Sequence, residues 1–372
     1  MFKVFYVDPM SYRNLAEYDS SLLSEMGLSR DDLEIYFFCS NLFNDDERIE
    51  RVSINKVFNY NIRKNPILKV FLYTISMCRI LFYVFRNQPD VVHFQWFKFA
   101  PVDIIVLSIL NAFSSCKIVY TAHNFLPHNS GRKYRLLYKL LYQLSHEVIV
   151  HAHRTKKEVI NLCGKGISVH SIPHGVFINR IKRIPKLGSY QYLLIGEISE
   201  YKGVLEMIEA WKSWLDENSL PAVPKLVIRG RCKESFAQKI FNAIGSSDTI
   251  DFVPGNLSDK DFDQNIIDCD ILVLPYIKGS QSGVLSKAIS YSKPFIVSEV
   301  GGLDEPLRIS EVGWSFSWDA KNSIDSALLN SYAYISNGKI FPDSRWELLR
   351  SELSWESIAK STLGVYFYPK HR

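Results

Sequence analysis

The chain has 372 residues, a length that favours two domains over one at roughly 100–200 residues per domain. Hydrophobic residues make up 47% and charged residues 22%, an ordinary globular balance that excludes collagen-like, mucin-like and tail-like chains. The net charge of +5 conceals an asymmetry: residues 51–186 carry 21 Lys and Arg against 4 Asp and Glu, and the remainder carries 23 against 35. The basic stretch suits a polyanion, a phosphorylated ligand or an anionic bilayer, or else is a solvated face without a partner. Six cysteines (Cys39, Cys78, Cys116, Cys163, Cys232, Cys269) stand apart without CxxC or CxH spacing. That excludes a zinc cage or a disulfide framework, and they read as reduced core thiols of a cytosolic protein.

The first residues, MFKVFYVD, read as a strand, because the apolar run stops at Asp8 before a signal-peptide core forms. Short apolar, β-branched or aromatic runs at 33–38, 91–95, 117–121, 147–150 and 168–172 alternate with helical patterns, as expected of parallel strands covered on both faces. The helix at 66–86 is the one membrane-like stretch. Lys69 and Arg79 interrupt it before the 18 or so apolar residues that a span needs, so it lies buried or on a surface. A second helix, 132–146, places Arg132, Arg135, Lys139 and His146 on one face and Leu137, Leu140, Leu141 and Leu144 opposite. Its leucines then pack on a sheet while its cations face lipid phosphates or plain solvent.

After a Pro- and Lys-containing segment at 179–189, strands recur at 192–196, 225–230, 249–253, 271–275 and 294–298. The economical reading is an α/β chain of two doubly wound, parallel-sheet units, 1–180 and 181–354, joined by a short linker. A last helix at about 355–366 has no strand after it. GxGxxG and GxxxxGK[ST] are both missing, which removes fingerprint support for a dinucleotide fold or a P-loop.

Chemistry is expected at the carboxyl ends of the strands. Pro275-Tyr-Ile-Lys-Gly-Ser-Gln-Ser-Gly283 follows a buried strand and opens a helix at 284–291, supplying unpaired N–H groups and the positive end of a dipole to a diphosphate. Gln281, Ser282 and the N–H groups of Gly283 and Val284 are the expected donors, although a helix merely capped by Ser282 has the same pattern. Gly196-Glu-Ile-Ser-Glu-Tyr-Lys202-Gly203 leads into the helix at 204–215 and puts a lysine at a helix start, either a point charge for an anionic leaving group or an ordinary surface lysine. Arg229 ends another strand and is expected to join it. In the first half, His93, Gln95, Trp96, His123, Asn124 and His128 gather at two strand ends as a polar and aromatic wall for sugar hydroxyls, or as satisfied structural residues. His174 ends the last strand of that half. The histidines lack metal-ligand spacing such as HExxH, so no metal is expected.

Taken in order, these stretches resemble glycosyltransferases of the GT-B fold, specifically family 4 and its group 1 relatives. The resemblance runs through Asp90-Val-Val-His-Phe-Gln-Trp96, Thr121-Ala-His-Asn-Phe-Leu-Pro-His128, Val148-Ile-Val-His151, Ile172-Pro-His-Gly-Val176, Tyr201-Lys-Gly203, Ser282-Gly-Val284, Lys293-Pro294, Val300-Gly-Gly302 with Glu305, and Trp355-Glu356 with Ile358-Ala359. It implies two Rossmann-like domains facing across a cleft, with a C-terminal helix at about 355–372 returned to the N-terminal domain. It also implies a UDP- or GDP-linked sugar bound by the C-terminal domain, an acceptor bound by the N-terminal one, and transfer without an obligatory metal. Lys202 would stabilise the diphosphate leaving group and the 281–283 turn would cradle it. His123, like Lys202 a catalytic candidate, would contact the transferred sugar or help near the anomeric centre, and Val253, Pro254 and Gly255 would seat the base. Retention of anomeric configuration is the family default. Two positions depart from the pattern: the paired glutamates of many members are Gly279 and Lys287 here, and the arginine after the first phosphate-strand glycine is Glu197.

The leading expectation is a hexosyltransferase extending a lipid-linked saccharide at the cytosolic face of a membrane, in surface polysaccharide biosynthesis. It would be a peripheral, cytoplasmic protein held to an anionic membrane by its basic first domain. A nucleotide-sugar epimerase of the same architecture, or a non-catalytic nucleotide-sugar binder, is the alternative. Nucleic acid is disfavoured as a partner, because the basic stretch carries no helix-turn-helix, zinc-finger or RNA-binding signature.

Overall fold

The computed structural model describes residues 1–12, 14–44, 49–63, 65–126, 132–176, 190–279 and 282–369. The linker at 179–189 and His128 and Gln281 lie outside them. The chain splits into two units, Met1–Gly175 with Trp355–Arg372, and Val176–Ser354. The first begins β1 (Phe2–Asp8), α1 (Asn14–Ser29), β2 (Leu33–Ser40), β3 (Val52–Phe58), α2 (Pro66–Asn87) and β4 (Val91–Phe94). It continues α3 (Ala100–Phe113), β5 (Lys117–Ala122), α4 (Arg132–Leu144), β6 (Glu147–Val150), α5 (His153–Cys163) and β7 (Val169–Ser171). The second unit runs β8 (Gln191–Ile195), α6 (Val204–Glu217), β9 (Lys225–Gly230), α7 (Glu234–Ile244), β10 (Ile250–Pro254), α8 (Asp259–Asp268) and β11 (Ile271–Leu274). It closes with α9 (Gly283–Ser290), β12 (Phe295–Ser298), α10 (Glu305–Ile309), β13 (Gly313–Phe316), α11 (Ser323–Ser336) and α12 (Asp343–Glu352), after which α13 (Trp355–Phe367) returns to the first.

The sheets are ordered β3-β2-β1-β4-β5-β6-β7 and β10-β9-β8-β11-β12-β13, with every pairing parallel. In each the strand order reverses beside the first strand, between β1 and β4 and between β8 and β11, which is where doubly wound sheets open a crevice at their carboxyl ends. The central strands are buried on both faces, hence their nearly unbroken hydrophobicity. Two strands fall outside the runs read from the sequence, β3 and β13, and both are edges. With a solvent side to serve, they carry Ser53, Asn55, Lys56 and Ser315 among their apolar residues and lose the continuous signal.

Helices α2 to α5 cover one face of the first sheet and α1 with α13 the other. Three contacts of its own chemistry dock α13. The Trp355 ring occupies the space where a side chain at Gly175 would be, 2.5 Å from an ideal Cβ. Tyr366 reaches His93. The buried Lys117 ammonium donates to the carbonyls of Val365, Tyr366 and Tyr368, neutralising the negative end of the helix. In the second unit Lys293 does the same for α8, donating to the carbonyls of Ile267 and Cys269.

Two expectations need correcting here. All six cysteines are free, but only Cys39, Cys116 and Cys269 are buried; Cys163 and Cys232 are half-buried and Cys78 is exposed. In α4 Leu141 and Tyr142 are buried and Leu137 and Leu144 pack against the same core, while Leu140 points out. His146 lies past the helix end and accepts the Ile118 N–H at 2.9 Å, so it belongs to no basic face.

Candidate functional site

At the switch point of the second sheet, the turn after β8 and the loop after β11 meet. Gly196 (φ +114°) is the close-approach position: a Cβ there would lie 3.4 Å from both Lys202 Nζ and Val284 Cγ2, so the glycine, the lysine and the first turn of α9 converge. Lys202 sits in a 3-10 turn, Glu200–Lys202, closed by Gly203 (φ +67°), whose missing Cβ would fall 1.9 Å from the Pro275 carbonyl. Only glycine satisfies both the left-handed backbone and the contact. The Ile277 N–H then donates to the Tyr201 carbonyl at 2.8 Å and ties the two loops together.

The Lys202 side chain is enclosed, with the residue 6% exposed. Its ammonium lies 5.0 Å from the centre of the Tyr276 ring, and it has no carboxylate partner among the described residues. Burial pushes its pKa down, opposed by Tyr201 and Glu197. An enclosed cation without a counter-ion is costly, and it is suited to an anion arriving from outside. Ser282 is the N-cap of α9, yet its side chain does not cap the backbone; its hydroxyl shares a 3.0 Å hydrogen bond with Tyr276. The Gly283 and Val284 N–H groups are thereby left without an acceptor among the described residues, and a Cβ on Gly283 would meet nothing within 4 Å. Open space, two N–H groups without an acceptor among the described residues and a helix dipole are the features that suit an anion.

Other expected donor contacts are placed differently. Arg229 is held at the β9–β10 seam, donating to the Asp251 carbonyl at 2.8 Å and pairing with its carboxylate, so it does not join Lys202. Val253 and Pro254 are exposed at the end of β10. Lys287 forms an ion pair with Asp263 and lies over Phe262, latching α9 to α8. Glu197 is a surface residue paired with Arg231 at 3.4 Å.

In the first unit the strand-end histidines form a chain. Parallel register aligns Ala122 with Val150, so the residues that follow, His123 and His151, stand side by side. His151 Nδ1 lies 3.0 Å from the Ile172 carbonyl and His151 Nε2 lies 3.1 Å from His123 Nδ1. The Gln95 amide bridges His123 Nε2 and His93 Nε2, 3.0 Å from each, and His93 Nδ1 meets the Tyr366 hydroxyl at 2.6 Å. Because a carbonyl only accepts, His151 carries its proton on Nδ1. If it is neutral, its Nε2 accepts from His123 Nδ1–H. The structure places Gln95 Oε1 on His123 Nε2 and Gln95 Nε2 on His93 Nε2; neutral rings are satisfied when that amide is turned, its NH2 facing the His123 Nε2 lone pair and its oxygen accepting from His93 Nε2–H, with Tyr366 donating to His93 Nδ1. As placed, the amide calls for a second proton on His123 or His151, whereas burial holds His123 well below its usual range and pushes His151 down to about 3. His93 is likewise lowered to about 3 by burial, and burial with the neighbouring histidines holds His123 well below the usual range.

His93 and Gln95 are 0% exposed. They therefore do not form part of a sugar-facing wall; they hold His123 from behind. Trp96 and Asn124 are half-buried, and Trp96 lies parallel to the His123 ring at 4.8 Å. His174 packs on Tyr18 and Trp355. Among the described residues no group of three or more His, Cys, Asp or Glu is arranged to hold a metal ion. Residues that the sequence did not single out are Tyr276, Tyr18 and Tyr366. Tyr276 stands just past a buried strand, a position open to a motif search, whereas the two others enter only through packing.

Two family models match the chain in tandem, one described as Glycosyltransferase Family 4 over residues 26–180 and one as Glycosyl transferases group 1 over residues 177–330. No curated protein matches the sequence. Among solved structures, sucrose-phosphate synthase from Thermosynechococcus elongatus has a TM-score of 0.74 at 14% identity, covering 98% of each chain. The lipopolysaccharide outer core galactosyltransferase WaaB in apo form has a TM-score of 0.70 at 14% identity, covering 98% of this chain and 99% of that one. Anabaena Alr3699/HepE in complex with UDP has a TM-score of 0.69 at 14% identity, again covering 98% and 99%. At this identity the likeness is one of fold, the two-domain GT-B architecture.

Proposed function

Because the chain belongs to the group 1 glycosyltransferases of family 4, we propose that it moves a sugar from a UDP- or GDP-linked donor to a lipid-linked saccharide at the cytosolic face of a membrane, in the making of a surface polysaccharide. The observation that carries the donor half is the enclosed Lys202 ammonium beside the free N–H groups of Gly283 and Val284. The UDP held by Anabaena HepE supports a uridine donor. In the proposed reaction the bond between the anomeric carbon and the diphosphate oxygen breaks, and the electron pair leaves with the nucleoside diphosphate. The acceptor hydroxyl oxygen forms the new bond and gives up its proton. Lys202 and the α9 N–H groups stabilise the growing charge from fixed positions, which needs no reorganisation at the moment of reaction. The exposed end of β10, Val253 and Pro254, seats the base.

His123, flanked by Trp96 and Asn124, meets the transferred sugar as a neutral ring. Both of its nitrogens are engaged by Gln95 and His151, so it orients the sugar and takes no proton. No metal is obligatory, since the lysine and the helix terminus perform the charge stabilisation, and retention is the proposed stereochemical outcome. The basic stretch at 51–186 supports an acceptor side turned towards anionic lipid.

The test is incubation of the purified protein with a panel of nucleotide sugars and lipid-linked saccharides. Sugar transfer is expected, together with nucleoside diphosphate release that depends on acceptor. An altered sugar formed from donor alone would indicate an epimerase. Tight donor binding without turnover across the panel would overturn the transferase assignment.

A further inference from the structure

Helix α2 carries two apolar stripes. The inner one, Tyr73, Met77, Ile80 and Val84, packs into the core of the first unit. Tyr73 also donates to Asp103 of α3 at 2.6 Å and Ser76 to the Val57 carbonyl of β3 at 2.7 Å. These bonds lay the helix along the sheet; contrary to the expectation drawn from Lys69 and Arg79, its 22 residues are by length and composition long and apolar enough to cross a membrane. The outer stripe follows the helical repeat through Ile67, Phe71, Phe82 and Phe85, exposed by 80, 59, 63 and 41%. It extends over about 27 Å at 1.5 Å per residue. The stripe passes between Phe71 and Phe82 through Thr74 and Cys78, and three exposed phenylalanines with Ile67 on one helix face are unfavourable in water and mark a contact surface. Arg79 and Arg86 are exposed on the same helix. Helices α2 to α4 contain a single acidic residue, Asp103, and it is buried against Tyr73.

We propose that this outer face of α2 is the docking surface for an anionic lipid bilayer. Ile67, Phe71, Phe82 and Phe85 enter the boundary between headgroups and acyl chains, and Arg79 and Arg86 take the headgroup phosphates. Charge selects this occupant over a second copy of the chain, because isologous pairing would set two groups of arginines face to face without an intervening acid. The inference deepens the membrane part of the proposed function, on which its purpose rests. It also moves the docking face away from α4, where His146 is turned to the sheet.

The experiment is co-sedimentation of the full chain with vesicles of phosphatidylcholine alone and with about one-third phosphatidylglycerol. Binding to the mixed vesicles is expected, weakening with salt. The variant Phe71→Ser/Phe82→Ser/Phe85→Ser, altered only at exposed positions, should partition on the order of 100-fold less. Arg79→Gln/Arg86→Gln should lose roughly tenfold at low salt. Three results would overturn the proposal: no binding by the unaltered protein, unchanged partition of the triple serine variant, or self-association in solution that this variant abolishes. UDP affinity and transfer to a soluble acceptor fragment are measured in parallel. Vesicle binding without transfer defeats the transferase reading alone, and transfer without vesicle binding defeats only the docking face.

Discussion

Replacing Lys202 with methionine, which keeps the length of the side chain, separates what the lysine costs from what it does. In the folded chain the residue is 6% exposed, and its described counter-interaction is the Tyr276 ring at 5.0 Å. Taking an ammonium out of water costs several kcal/mol, and a desolvated cation–π contact returns up to about 2 kcal/mol. A net penalty of about 1–3 kcal/mol follows, so Lys202→Met should raise stability by that amount. For a unit the size of Val176–Ser354, it is worth roughly 2–10 °C in melting temperature. The sign has a second consequence. Burial lowers the lysine pKa in the fold, so the unfolded chain binds more protons on the alkaline side. The native protein should therefore gain stability as pH rises towards about 10.4, narrowing its deficit against the variant. The same substitution removes a fixed cation from the departing diphosphate and should lower kcat by roughly 100- to 1000-fold. Scanning calorimetry with and without UDP, beside a nucleotide-release assay, reads all three effects. A variant that melts lower, or that melts higher and turns over normally, would refute the view of Lys202 as an unpaired cation awaiting phosphate.

Tyr366→Phe removes the hydroxyl partner of His93 Nδ1 and leaves a buried ring nitrogen unmet, at a cost of about 1–3 kcal/mol in urea denaturation; no loss would show that α13 docks by packing alone. Gly203→Ala puts a Cβ 1.9 Å from the Pro275 carbonyl at φ +67°. It should cost more than about 2 kcal/mol and weaken UDP binding, whereas a normal melting curve with normal affinity would contradict the proposed tie between the two loops. His93 and His151, lowered to about 3 in the fold, ionise near 6.5 when unfolded. Their contribution is complete above about pH 6.5 and is lost on acidification towards 3, by up to about 1.4 kcal/mol per pH unit for each ring. Asp103, raised to about 8 by burial, acts in the opposite sense, so the direct readout is NMR of the imidazole carbons. Neither ring should titrate between pH 8 and 5, and a midpoint near 6.5 in the folded protein would break the neutral chain of hydrogen bonds.

Much was legible in the residues themselves. Continuous apolar runs named the central strands, because a strand covered on both faces has no polar side to show, and the glycines after β8 marked backbone that only glycine allows, Gly196 at φ +114° and Gly203 at φ +67°. Edge strands β3 and β13 escaped the same reading, since their solvent sides dilute the pattern. Several motif positions turned out to be packing. Gly175 is small because the Trp355 ring lies there, Lys293 caps α8, and Lys287 holds Asp263. The residue types alone placed His93, Gln95 and His123 together at strand ends. Parallel register and α13 decided which of them is buried support and which stands at the front. In the same way, composition marked 66–87 as apolar, but only the packing of Tyr73, Met77, Ile80 and Val84 separated an inner stripe from an outer one. Sequence determines what a local segment can do: turn, cap, alternate or carry charge. Which side of a helix meets protein, and which cation has no carboxylate partner among the described residues, depends on residues distant in the chain, and the tertiary structure alone brings them within bonding distance.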